Sequence, residues 1–135
     1  MSTKNYQPRH KSGASVGRSF NGRKAIDDLY MATDDWRNYR ARFLAENGRC
    51  YACGARATVV DHVTPHLGDV ALFEKLDNHI PLCDTCHGRV TVFFDRKYRK
   101  GTVPEKKLQW LSDSRKKLDL TFRVKVLPSY RARGQ

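Results

Sequence analysis

Cys50-Tyr51-Ala52-Cys53 and Cys83-Asp84-Thr85-Cys86-His87 bracket a stretch that contains Val60-Asp61-His62-Val63-Thr64-Pro65-His66 and Asp77-Asn78-His79. All four cysteines of the 135-residue chain fall in these two Cys-x-x-Cys pairs. Two intervening residues let a tight turn aim both thiolates at one ion, and two such turns close a tetrahedron. Cys50, Cys53, Cys83 and Cys86 therefore read as the ligands of a structural Zn2+. Disulfides fit poorly, because no apolar leader follows the N-terminus to direct the chain to an oxidising compartment. A redox pair would occur once, in a thioredoxin-like βαβ setting that this sequence lacks. The pairs are 29 residues apart, more than the ~15–20 of a plain zinc ribbon, so something besides a turn is held between them. Four of the five histidines lie in this block. A cluster of His, Asp and Asn beside a zinc scaffold is how a second, open site for a hard divalent ion is built.

Outward from the knuckles, residues 26–47 predict a helix. Thr33 or Asp34 can cap it, and Trp36, Tyr39, Phe43 and Leu44 recur at helical spacing. Asn47-Gly48 offers a left-handed stop. Ala57–Val63 predicts a short strand, and Ile80-Pro81-Leu82 a second extended piece whose proline excludes a central ladder position. Residues 84–99 predict a helix, and Pro104-Glu105 opens another with Leu108, Leu111 and Leu118 on one buried face beside Trp110. Thr121–Leu127 alternates like an edge strand, with Phe122, Val124 and Val126 on one side.

The formal net charge of +12 suggests a polyanionic partner, nucleic acid being the commonest. The charge is uneven: residues 1–24 carry +6, 25–48 carry −2, 49–90 carry −1 and 91–135 carry +9. A near-neutral centre is thus flanked by two basic ends. Residues 1–24, rich in Ser and Gly and free of acids, read as a basic flexible arm; 25–127 as one domain; 128–135 as a tail. Arg89, Arg96, Lys97, Arg99 and Lys100 are candidate phosphate grips. No run of 18 apolar residues is present, which excludes a membrane span as the leading reading.

Taken together, Cys50-x-x-Cys53, Asp61-His62, Pro65, Asn78, Pro81-Leu82-Cys83 and Cys86-His87 resemble the HNH endonucleases, the ββα-metal nucleases. The resemblance covers residues 36–94 and is closest to the small phage-type branch, through Asp61-His62-Val63-Thr64-Pro65-His66-Leu67-Gly68-Asp69 and the Trp-containing helix before the first knuckle. It implies an α+β fold: a small zinc-stapled ββα-metal (His-Me finger) domain with flanking helices. It also implies that Asp61 and His87 bind a catalytic Mg2+, Mn2+ or other divalent ion, that His62 is the general base, and that Asn78 ties the loop and orients that base. The implied substrate is DNA, cut to 5′-phosphate and 3′-hydroxyl ends. Phage DNA processing or packaging, with packaging proteins as partners, would place the protein in the host cytoplasm.

Three positions depart from the family pattern. Val90 follows Gly88-Arg89 where Lys is frequent, Thr91 stands where some members have a further His, and His79 follows Asn78 in place of an apolar residue. His66 reads as a phosphate contact, a helper of the ligand shell or a surface residue. The rival from another class is a non-catalytic zinc module that binds nucleic acid or a packaging partner. A zinc nucleobase deaminase fails, because no His-x-Glu occurs and Leu82 separates Pro81 from Cys83.

Overall fold

Thr33 has extended backbone, and its hydroxyl accepts the Trp36 N–H at 3.1 Å, so the first described helix, α1, spans Asp34–Glu46. The computed structural model describes residues 31–98 and 104–131; the expected arm 1–24, residues 25–30, and the grips Arg99 and Lys100 lie outside them. Trp36, Tyr39 and Phe43 form the buried stripe of α1, as their spacing predicts. The helix does not use a left-handed stop. Asn47 has φ −128°, and its buried side chain instead donates to the Phe43 and Lys125 carbonyls and accepts the Lys125 N–H at 2.8 Å.

That clamp corrects the expected edge strand at 121–127. The segment is irregular and pairs with no described strand, because Asn47 takes its Lys125 backbone groups and Arg115 takes the Leu120 and Phe122 carbonyls. Leu127 and Tyr130 turn into the core while Val126 stays exposed, so packing continues past residue 127.

The two strands are β1, Val59–His62, and β2, His79–Leu82, antiparallel with Asp61 opposite Ile80 and His62 opposite His79. Pro81 is tolerated because, among the described residues, the sheet has two strands and both are edges. Between them lies α2, Val70–Glu74, capped by Asp69. After β2 come α3, Asp84–Phe93, and α4, Glu105–Lys117. The expected helix 84–99 stops at Phe93; Phe94 leaves helical geometry and Asp95–Lys97 form a single 3-10 turn.

Strand alternation splits the molecule into two cores. Val60 packs with Trp36, Tyr39, Phe43, Phe73, Leu127 and Tyr130 on the α1 side. Ile80 and Leu82 pack with Cys86, Val90 and Leu111 on the side of α3 and α4. Each fully buried large side chain contributes about 1.5–3 kcal/mol. The buried face of α4 differs from the leucine stripe read from sequence: Leu111 is buried, but Leu108 is 43% and Leu118 53% exposed. Lys107 faces inward instead, 1% exposed, beside partly buried Trp110.

Candidate functional site

The first knuckle is a hairpin turn. Gly54, at φ +80°, lets its N–H reach the Cys50 carbonyl at 2.8 Å, and Arg49 bridges Arg56 behind it. The second knuckle is the start of α3, where Cys83 is the cap and its Sγ accepts the Cys86 N–H at 3.4 Å. The four cysteines are free, and their Sγ atoms all lie within 4.8 Å of one another. Cys53 and Cys83 sulfurs are 3.7 Å apart; tetrahedral thiolates ~2.3 Å from one ion stand about 3.8 Å apart. The cluster fits a four-coordinate metal ion. Burial pushes the Cys50 and Cys86 thiols up, so ionising them here requires a cation to balance the charge.

Asp61 and His62 leave β1 on opposite faces. Asp61, 4% exposed, points toward α3 and α4; His87, on the first turns of α3, brings its Nε2 within 3.6 Å of Asp61 Oδ1. Two ligands each about 2.1 Å from one ion stand ~3–4 Å apart, so this pair fits a shared divalent ion with its remaining positions open. Asp61 Oδ2 is buried and has no aligned hydrogen bond. Its charge is met off-axis by Lys107 Nζ at 2.9 Å. The same ammonium donates to Asp95 Oδ1 and to the His62 carbonyl, both at 2.9 Å. Burial would lower the Lys107 pKa, but Asp61 and Asp95 together raise it. Burial and the neighbouring Asp61 push Asp95 up to about 7, against the pull of Lys107.

On the other face, His62 stacks on Trp36 with ring centroids 5.8 Å apart and lies beside Phe73, His66 and His79. Its Nε2 is 3.1 Å from the Phe73 carbonyl, an acceptor only, which assigns the proton to Nε2 and leaves the Nδ1 lone pair free. The His79 Nε2–H donates to the same carbonyl at 2.8 Å, and the Tyr39 hydroxyl donates to His79 Nδ1 at 2.6 Å. Burial, then the neighbouring His79 and His66, hold His62 well below the usual imidazole value. Burial also lowers His79.

Asn78 clamps the loop between the strands. Its Oδ1 accepts the Thr64 N–H at 2.8 Å, and its Nδ2 donates to the Thr64 and Leu72 carbonyls. It makes no hydrogen bond to His62, because its amide is consumed by backbone; it fixes Leu72, next to the Phe73 carbonyl that His62 uses. His66 Nδ1 accepts the Gly68 N–H at 3.0 Å, within the same loop.

Among the described candidate grips, Arg89, Arg96 and Lys97 are exposed and form no ion pair with a described residue. Sequence reasoning missed Lys107 and Asp95. The available signal was the α4 stripe of Lys107, Trp110, Leu111 and Ser114, which share a face at three- and four-residue spacing. The Phe73 carbonyl carries no sequence signal.

No protein-family profile and no curated protein matches the sequence. The structure is similar to the crystal structure of the HNH endonuclease of the deep-sea thermophilic bacteriophage GVE2, determined with manganese ion. The likeness has a TM-score of 0.51 at 32% identity, and spans 57% of this chain and 90% of that one. Identity at this level across nearly all of the relative, on the two-strand-and-helix frame that the paired knuckles brace, assigns the chain to the HNH endonuclease family.

Proposed function

We propose that the protein is a metal-dependent endonuclease that hydrolyses DNA phosphodiester bonds. The observation that carries this reading is the division of β1: Asp61 meets His87 at 3.6 Å on one face, and His62 presents a free Nδ1 from the other. His62 takes the proton of the attacking water at Nδ1, while the Nε2–H bond to Phe73 keeps the ring and tautomer fixed. The lowered His62 pKa keeps that nitrogen unprotonated at neutral pH. Asp61 and His87 hold a Mg2+, Mn2+ or similar ion, which when bound supplies charge relief to the phosphate and the leaving 3′ oxygen. Asn78 holds the loop rigid around the base. The cysteines hold a structural Zn2+ away from the chemistry. Arg89, Arg96 and Lys97 grip backbone phosphates, and the likeness to a bacteriophage enzyme extends the reading to phage DNA processing.

Supercoiled plasmid incubated with the protein and Mg2+ or Mn2+ is expected to be nicked. EDTA abolishes this, and His62→Ala lowers the rate about 10²- to 10⁴-fold. DNA binding without cleavage by the unaltered chain, across several divalent ions, would replace this reading with a non-catalytic zinc module.

A further inference from the structure

Lys107 is the one described lysine that is buried, and all three oxygens it touches belong to the site's surroundings: the Asp61 carboxylate, the Asp95 carboxylate and the His62 carbonyl, each at 2.9 Å. It comes from α4, outside the two strands and helix that carry the other site residues. At 1% exposure it cannot touch a substrate phosphate. A buried ammonium is expensive unless paired, and here its partners include the carboxylate beside His87. Lys107 engages Asp61 Oδ2, whereas Oδ1 is the oxygen 3.6 Å from His87 Nε2. One carboxylate is thus shared between a tethered cation and the place for a free one.

We propose that Lys107 is a positioning residue that reserves Asp61 Oδ2, so that Asp61 offers the catalytic ion a single oxygen, and that this fixed charge weakens divalent-ion binding. Asp95 is its anchor: by holding the same ammonium from the end of α3, it keeps Lys107 from collapsing fully onto Asp61. The inference rests on the reading of Asp61 and His87 as ion ligands. Repulsion between an ammonium and a divalent ion across the width of one carboxylate is worth about tenfold in affinity even at a water-like dielectric. Removing the ammonium also frees Oδ2 to join the ion. Both effects have the same sign, opposite to that expected if Lys107 only braces the fold.

The test is a Mn2+ titration of the full-length, zinc-loaded protein without DNA, followed by the electron paramagnetic resonance signal of free Mn2+ at pH 8. Lys107→Met is expected to tighten Mn2+ binding by about tenfold, and Lys107→Arg, which keeps the charge, to leave it close to wild type. Asp95→Asn removes a nearby negative charge and is expected to weaken binding about fivefold. Unchanged or weaker binding in folded Lys107→Met overturns the proposal. Should that variant fail to fold, Asp95→Asn decides, and unchanged or tighter binding overturns it. Asp61→Ala separates the two readings. If it leaves Mn2+ binding intact, the ligand assignment fails and this inference with it. If it abolishes binding but Lys107→Met does not tighten it, only the inference fails.

Discussion

The Phe73 carbonyl decides which nitrogen of His62 is left to serve as the proposed base. Because it accepts from Nε2, and from His79 Nε2 as well, two neutral imidazoles share one acceptor, and protonating either adds a charge to a site enclosed by rings. Burial first, then the neighbouring His79 and His66, place the His62 pKa well below its ordinary 6.5. The sign for catalysis follows directly. A general base works unprotonated, so if His62 is that base, activity is expected to be retained as pH falls through 6.5 and lost only as pH passes through the lowered value. A profile of kcat/KM against pH in saturating Mg2+ should therefore keep its plateau at pH 6.5, with the acid limb below it; a half-maximal point at or above 6.5 would contradict the assignment. The identity of His62 as a candidate base was legible from Asp61-His62 and Asn78. Its tautomer was not, because the acceptor is a backbone oxygen and its neighbour is held by Asn78 rather than by any residue next to His62.

At the scale of elements, legibility followed how locally the deciding force acts. The aromatic stripe of α1 and the two knuckles were readable because their spacing alone sets which atoms converge. The face of α4 was not: hydrophobicity points to Leu108 and Leu118, whereas Asp61, 46 positions earlier, pulls Lys107 inward and rotates the buried stripe. The edge strand at 121–127 failed for a similar reason, since a remote Asn47 supplies the bonds a ladder would have supplied. The knuckle at Cys83 allows a clean separation of metal binding from helix capping. Its Sγ caps α3, and serine caps a helix well but is a poor ligand. Cys83→Ser is therefore expected to keep the cap, lose the metal ion proposed for the cluster, and cost about 3–5 kcal/mol, a fall in Tm of roughly 10–20 °C. Elemental analysis and thermal melting check both, and retention of zinc with an unchanged Tm would show that the cysteines do not hold the ion.

Across the whole molecule, the basic charge and the proposed site occupy different parts of the chain. Residues 25–48 and 49–90, which hold Asp61, His62, Asn78 and His87, carry −2 and −1, while residues 91–135 carry +9. Where the two meet is the end of α3. His87 sits on its first turns, Asp95 anchors Lys107 just past its last, and exposed Arg96 and Lys97 follow immediately. On the proposed reading, a phosphate gripped by this turn would lie one short helix away from the Asp61–His87 pair, so the grip would set how long DNA stays and the faces of β1 how fast it is cut. The two functions should then respond differently to salt. Each neutralised phosphate releases about 0.9 counterion, so Arg96→Ala/Lys97→Ala is expected to make the slope of log K against log salt shallower by about 2. The same variant should leave kcat at saturating DNA unchanged, because neither side chain contacts Asp61, His62 or His87. Filter binding across a salt series on catalytically silent His62→Ala protein gives the slope, and plasmid nicking at saturation gives kcat. An unaltered slope would remove Arg96 and Lys97 from the DNA-binding surface. A shallower slope with a fallen kcat would instead bring that turn into the chemistry, through the Asp95 to which it is joined.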